Sequence, residues 1–200
     1  MSDAVSVMNG ASFSGAVMVQ DAGLRGMITL RGDLGSAKMA KAVKSAIGLA
    51  LPDRRCIKSG KKGGVAWMSP DELMLFCSYA EAPLLVAKLE TALAGEHFLA
   101  LNVSDARASF TLSGVGTREV IAKGSPANIS VQALLPGEIR RSRLGQVAVA
   151  FWLTDAQLFA TRHRFPPNAD TIIGLGPQFA HHVALSGALD FDYIGPEIGQ

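Results

Sequence analysis

Several stretches of the chain alternate apolar and polar residues, and others repeat apolar residues at helical spacing. Ala108, Phe110 and Leu112 alternate with Ser109, Thr111 and Ser113, the pattern of a strand with one buried face. Gly114 and Gly116 permit a tight turn, and Thr117 stands as a candidate N-cap. Val120 and Ile121 give the helix that follows a small apolar face, and Gly124 with Pro126 stops it. Residues 103–129 therefore read as strand, turn and helix.

The first part of the chain follows similar rules. Residues 26–31 (GMITLR) form a strand, Gly32 and Gly35 turn, and Ser36 caps a helix. Met39, Val43, Ala46, Ile47 and Ala50 line one face of that helix, with Lys38, Lys41 and Lys44 largely on the other; Pro52 closes it. Residues 65–68 and 72–79 form a hairpin across Ser69-Pro70-Asp71, where proline presets the turn. A second helix runs from Glu81 to Ala94 with Leu85, Val86, Leu89, Ala92 and Leu93 at helical spacing. Pro83 sits in its first turn and Gly95 stops it. Residues 98–103 are the next strand. Strand, helix, strand, strand, helix, strand is the split βαβ order of a ferredoxin-like sheet.

The second half repeats this order. Thr29-Leu30-Arg31-Gly32 is echoed by Thr111-Leu112-Ser113-Gly114, and Trp67-Met68-Ser69 by Trp152-Leu153-Thr154, at nearly equal offsets. Residues 138–143 and 146–153 read as strands meeting at Leu144-Gly145, and 157–163 as the strand after them. Beyond the break at Pro166-Pro167, a helix is expected from Asn168 through Ile172, Ile173 and Leu175, with a further turn around Phe179, Val183 and Leu185. The predicted class is α+β, two ferredoxin-like halves, at 26–104 and 105–185. An N-terminal arm, 1–25, precedes them and a tail, 186–200, follows. Residues 16–20 can pair as a strand, but the segment reads more as an arm that is disordered or docked on a partner.

Composition narrows the class. Hydrophobic residues make up 48% of the chain and charged residues only 18%, enough for a core and for more apolar surface than a soluble monomer needs. The net charge of +2 is too near neutral to imply nucleic acid or an acidic membrane as the main partner, and neither is expected. No apolar run approaches the roughly 20 residues that span a bilayer, and the N-terminus lacks a signal peptide's pattern. Cys56 and Cys77 have no C-x-x-C spacing, as in a reduced, cytoplasmic protein.

The chemistry is sparse. Gly114-Val115-Gly116-Thr117-Arg118-Glu119 resembles the start of a dinucleotide fingerprint, but Glu119 takes the place of a small residue. His181 and His182 diverge on a helix, and a metal site with Asp190 and Asp192 needs the tail folded back. His97 and His163 have no evident partner. No catalytic and no metal-binding residue is expected, which leaves an independent enzyme without a constellation. Asp105 and Arg107 lie where the halves meet, as a ligand-binding pair or a structural ion pair. Arg140, Arg141 and Arg143 meet a partner's acids or coat a sheet edge, Arg140 on one face and the other two on the opposite face. Arg54, Arg55, Lys58, Lys61 and Lys62 form a basic loop, either solvated or an anion or partner patch.

Three phrases carry a family resemblance: AWMSPDELML (66–75), VSDARASFTLSG (103–114) and GEIRRSRLG (137–145). In order and spacing the chain resembles the gamma subunit of heterotetrameric sarcosine oxidase. It departs from that pattern at 164–170, where two prolines interrupt the family's last helix. The resemblance implies the fold of the glycine cleavage T protein folate-binding domain. It also implies a non-catalytic structural subunit of a complex that oxidises sarcosine to glycine, forms peroxide and passes one carbon to tetrahydrofolate. FAD, FMN, NAD and tetrahydrofolate are then expected on the partner alpha, beta and delta subunits and none on this chain. The alternative is a free-standing folate-binding protein related to the T protein, with Asp105 and Arg107 as folate candidates.

Overall fold

The computed structural model describes residues 3–154 and 171–175. In chain order the strands and helices are β1 (Ser12–Ser14), β2 (Met18–Asp21), β3 (Arg25–Gly32), α1 (Ala37–Ile47), β4 (Ile57–Gly60), β5 (Gly63–Ser69) and β6 (Glu72–Ser78). They continue as α2 (Ala82–Leu93), β7 (Phe98–Asn102), β8 (Ala108–Ser113), α3 (Thr117–Gly124), β9 (Ile139–Leu144), β10 (Val147–Leu153) and β11 (Thr171–Leu175).

The first sheet has the order β4-β5-β6-β3-β7, with every pair antiparallel. Its β5, β6, β3 and β7 reproduce the split βαβ arrangement that the sequence predicts. Ile28, Leu30, Leu73 and Leu75 on one face bury against Met39 and Val43 of α1 and Leu85 and Leu89 of α2. The Ser36 hydroxyl caps α1, accepting from the amides of Lys38 at 3.2 Å and Met39 at 3.5 Å. The helix ends earlier than Pro52 suggests. Gly48, at φ 79°, turns the chain left-handed, and its N–H reaches the Lys44 carbonyl at 2.9 Å.

The second sheet has the order β1-β2-β8-β11-β10-β9. Strands β9, β10, β11, β8 and β2 occupy the places that β4, β5, β6, β3 and β7 hold in the first sheet. The duplication is therefore real in sheet order, but its last position is filled from the N-terminus. The segment expected as an arm is corrected accordingly: β2 pairs with β8, Val19 opposite Leu112 and Asp21 opposite Phe110. Burial explains the docking, because Val17 and Val19 enter the second core with Phe110, Leu112, Ile121 and Phe151. The helix expected over 168–175 is also corrected. Residues Thr171–Leu175 are a strand, with Ile173 opposite Phe151 on one side and Phe110 on the other. Two β-branched isoleucines after a threonine, ahead of Gly174, favour the extended backbone. The strand expected at 157–163 and the elements expected beyond 175 lie outside the described residues.

The helices lie on the outer faces, and the sheets meet through the inner ones. Met27, Ile57, Met68 and Met74 of the first sheet pack against Ile139, Ala150 and Trp152 of the second. A backbone seam joins them. The Ile57 amide donates to the Gly137 carbonyl and the Ile139 amide to the Arg55 carbonyl, both at 2.8 Å. Part of the predicted basic loop is thus strand β4, edge-on to the second half.

Asp21 ties the N-terminal hairpin together. Its carboxylate accepts from the amides of Met8 and Gly10 at 3.1 Å and of Gly23 at 3.0 Å. Burial alone would raise its pKa. The hydrogen bonds from Ser6, Gly10, Gly23 and Met8 outweigh that and hold it below the ordinary 3.8. A depressed folded-state pKa stabilises the fold above the unfolded value, and that stability is lost as pH falls through the folded one. Thermal melts from neutral pH down to about pH 3 are expected to show this loss. Asp21→Asn should remove that part of the acid dependence and cost about 1–2 kcal/mol at neutral pH. Identical acid profiles for the two proteins would refute this role.

Candidate functional site

Where the halves meet there is an open cleft of about 650 Å³, within the range of ligand and peptide sites. Trp67, Met68 and Ile139 supply its apolar lining and Arg55, Arg107 and Arg141 its charge, while Arg140 and Val149 border it. Among the described residues no acid lines it.

Each arginine is placed by a different element. Arg55 sits in a left-handed backbone conformation, φ 62°, just before β4. Its carbonyl is held by the Ile139 amide in the seam between the halves. Arg141, exposed on β9, donates to the Met68 carbonyl at 2.6 Å, from one half to the other. Arg140, on the opposite face, donates to the Ala133 carbonyl and pairs with Glu138 at 3.1 Å. Arg143 is exposed on β9. The face alternation read from the sequence is present, while Arg140 and Arg141 each spend hydrogen bonds inside the chain.

Arg107 is half-buried and makes no hydrogen bond or ion pair with a described residue. Burial lowers its pKa, the Glu72 charge opposes that, and the nearby Arg141 charge lowers it further. Of the two roles expected for Asp105 and Arg107, the structural ion pair is not formed. A 3-10 turn, Ser104–Ala106, carries Asp105 to the surface, where its carboxylate accepts from the Tyr79 hydroxyl at 2.7 Å. That bond raises the Tyr79 pKa. Arg107 starts the extended run into β8 and points into the arginine cleft, which Asp105 does not line. Both residues border a second, smaller cleft of about 450 Å³ with Asp21 and Arg25.

The glycine turn before α3 serves the architecture. Thr117 is the first helical residue and not the cap. Its buried hydroxyl donates back to the Gly114 carbonyl at 2.8 Å, and Gly116 takes the cap position. The Glu119 carboxylate lies beside Gly116, where a bound phosphate would need room. Arg118 turns the other way and donates to the carbonyls of Ile129, Ser130 and Leu134, which holds the loop leading to β9. His97 is exposed. His163, His181, His182, Asp190 and Asp192 lie outside the described residues. Among the described residues no group of three or more His, Cys, Asp or Glu could hold a metal. Cys56 and Cys77 are free thiols, and burial with the Glu81 charge raises Cys77.

Sequence reasoning singled out the basic 54–62 stretch and the β9 arginines separately. It missed that Arg55, Arg107 and Arg141 converge, because the convergence depends on the pairing of 55–57 with 137–139.

Two facing sheets with helices outside define an α+β class shared with the glycine cleavage system aminomethyltransferase T from Bartonella henselae. The TM-score is 0.54 at 17% identity, over 80% of this chain and 42% of that one. A chain of the heterotetrameric sarcosine oxidase from Corynebacterium sp. U-96 superposes with a TM-score of 0.70 at 22% identity, over 87% of this chain and 84% of that one. Among curated proteins, sarcosine oxidase subunit gamma from an Arthrobacter species is 29% identical over 148 residues, 73% of this chain and 71% of the relative. The subunit gamma from Corynebacterium sp. strain P-1 is 28% identical over the same shares. The model of the sarcosine oxidase, gamma subunit family (SoxG) matches residues 31–146. The chain belongs to the sarcosine oxidase gamma subunit family.

Proposed function

We propose that this chain is a non-catalytic subunit of a cytoplasmic heterotetrameric sarcosine oxidase and contributes to its assembly. The family match over 31–146 carries the reading. The larger alpha and beta subunits, with the small delta subunit, would bind FAD, FMN, NAD and tetrahydrofolate. They would oxidise sarcosine to glycine with peroxide formation and one-carbon transfer. The packing supports a subunit role. Leu84, Leu99 and Leu101 are large, apolar and exposed, more apolar surface than a solitary chain gains from showing. Among the described residues no helix is long and apolar enough to cross a membrane.

Co-expression with the other three subunits, followed by size-exclusion chromatography, tests the reading. The chain should elute with them at equal stoichiometry. Quantitative elution as a free monomer would overturn it. Saturable quenching of Trp67 and Trp152 fluorescence by tetrahydrofolate in the isolated chain would favour the folate-binding alternative.

A further inference from the structure

We infer that the arginine cleft between the halves is the seat of an acidic segment of one of the larger subunits. The inference rests on the assembly reading above and adds to it the place and chemistry of the contact.

Three observations converge on an anionic occupant. The cleft is charged by Arg55, Arg107 and Arg141, is bordered by Arg140, whose guanidinium pairs with Glu138 on the other face, and is lined, among the described residues, by no acid. Arg107 is half-buried, faces this space, and has no hydrogen-bond acceptor among the described residues. A guanidinium carries five N–H donors in a rigid fork suited to a carboxylate. The Glu72 charge offsets part of the cost of its burial, but no carboxylate among the described residues engages its donors, and a bound anion would satisfy them. The lining is also mixed: Trp67, Met68 and Ile139 lie among the arginines. A peptide with acidic and apolar side chains matches both parts, as interfaces with aromatic and arginine anchors do.

The position favours a protein segment. The cleft is built by both halves at their seam, with Arg55 from the first and Arg141 from the second, so a segment seated there would clamp them together. Within a complex such a segment is supplied at high effective concentration by the subunit that carries it.

The test uses the co-expressed complex. Arg107→Ala removes a side chain with no hydrogen bond to the described residues, so the isolated variant should melt like the parent. Its affinity for the larger subunits should fall at least about thirtyfold, with Arg107→Lys recovering part of the loss. Lys61→Ala/Lys62→Ala, at the exposed tip of the β4–β5 hairpin, should assemble normally. A photo-crosslinking residue at Ala106, on the cleft wall, should mark a larger-subunit peptide rich in Asp and Glu. Unchanged affinity of Arg107→Ala, or a crosslink only to neutral or basic peptides, would overturn the inference while normal assembly of the parent kept the subunit reading intact. Loss of assembly by the parent itself would overturn the subunit reading instead. Arg107-dependent binding of succinate or inorganic phosphate to the isolated chain, with assembly unaffected, would make the cleft a small-anion site and overturn the docking.

Discussion

Gly63→Ala is expected to destabilise the protein by about 3–5 kcal/mol. Gly63 opens β5 at φ +141°, where an L side chain is strained whatever the space around it. A Cβ there would stand 1.9 Å from the Phe76 carbonyl oxygen and 2.9 Å from its carbon. That obstacle is backbone in the neighbouring strand, so no rotamer change relieves it. The β5–β6 pairing must part or the hairpin must shift. Gly48→Ala makes the comparison: it shares a positive φ, +79°, but its Cβ would meet nothing within 4 Å. It should cost only about 1 kcal/mol. Urea unfolding of both variants checks the ranking. Equal midpoints would show that the β5–β6 contact is not as close as described.

Trp152→Ala should cost about 3–5 kcal/mol, through loss of buried area and a cavity that its neighbours cannot fill. Trp152 is 5% exposed and lies between the sheets with Met27, Met74 and Ile139. Its ring sits 5.1 Å from Phe76, tilted by 45°, a geometry that adds to simple burial. The loss falls on the contact between halves and leaves each helix-covered core whole. The variant should therefore unfold in two steps by urea denaturation followed through far-UV circular dichroism, where the parent unfolds in one. Trp152→Phe keeps a ring against Phe76 and should lose less. A single transition at the parent's midpoint for Trp152→Ala would refute this view of the seam.

Local chemistry accounts for what was legible in the sequence. Ser36, the 69–71 turn, Pro83 and Gly145 act through residues next to them, so the helices and hairpins of the first half and the β9–β10 hairpin could be read directly. The echo of Trp67 by Trp152 located β10 as the counterpart of β5. What escaped prediction is non-local. Nothing within 1–25 announces that Val19 will face Leu112. Likewise Thr171-Ile172-Ile173 suits a strand or a buried helix until β8 and β10 leave a gap between them. At the site, the arginines were visible as residues but their meeting place was not. Asp105 and Arg107 are two apart in sequence and border one small cleft, but only Arg107 also lines the arginine cleft.

The N-terminal hairpin has a consequence for synthesis. Strand β2 can pair at once with β1, yet its other partner, β8, lies some ninety residues later in the chain, so that edge must wait while the whole first sheet leaves the ribosome. Such long-range pairing slows folding and keeps an edge open for wrong contacts. A bulky fusion placed ahead of Ser12 would ride on that waiting strand and hinder the closing of the second sheet, whereas the first could still form behind it.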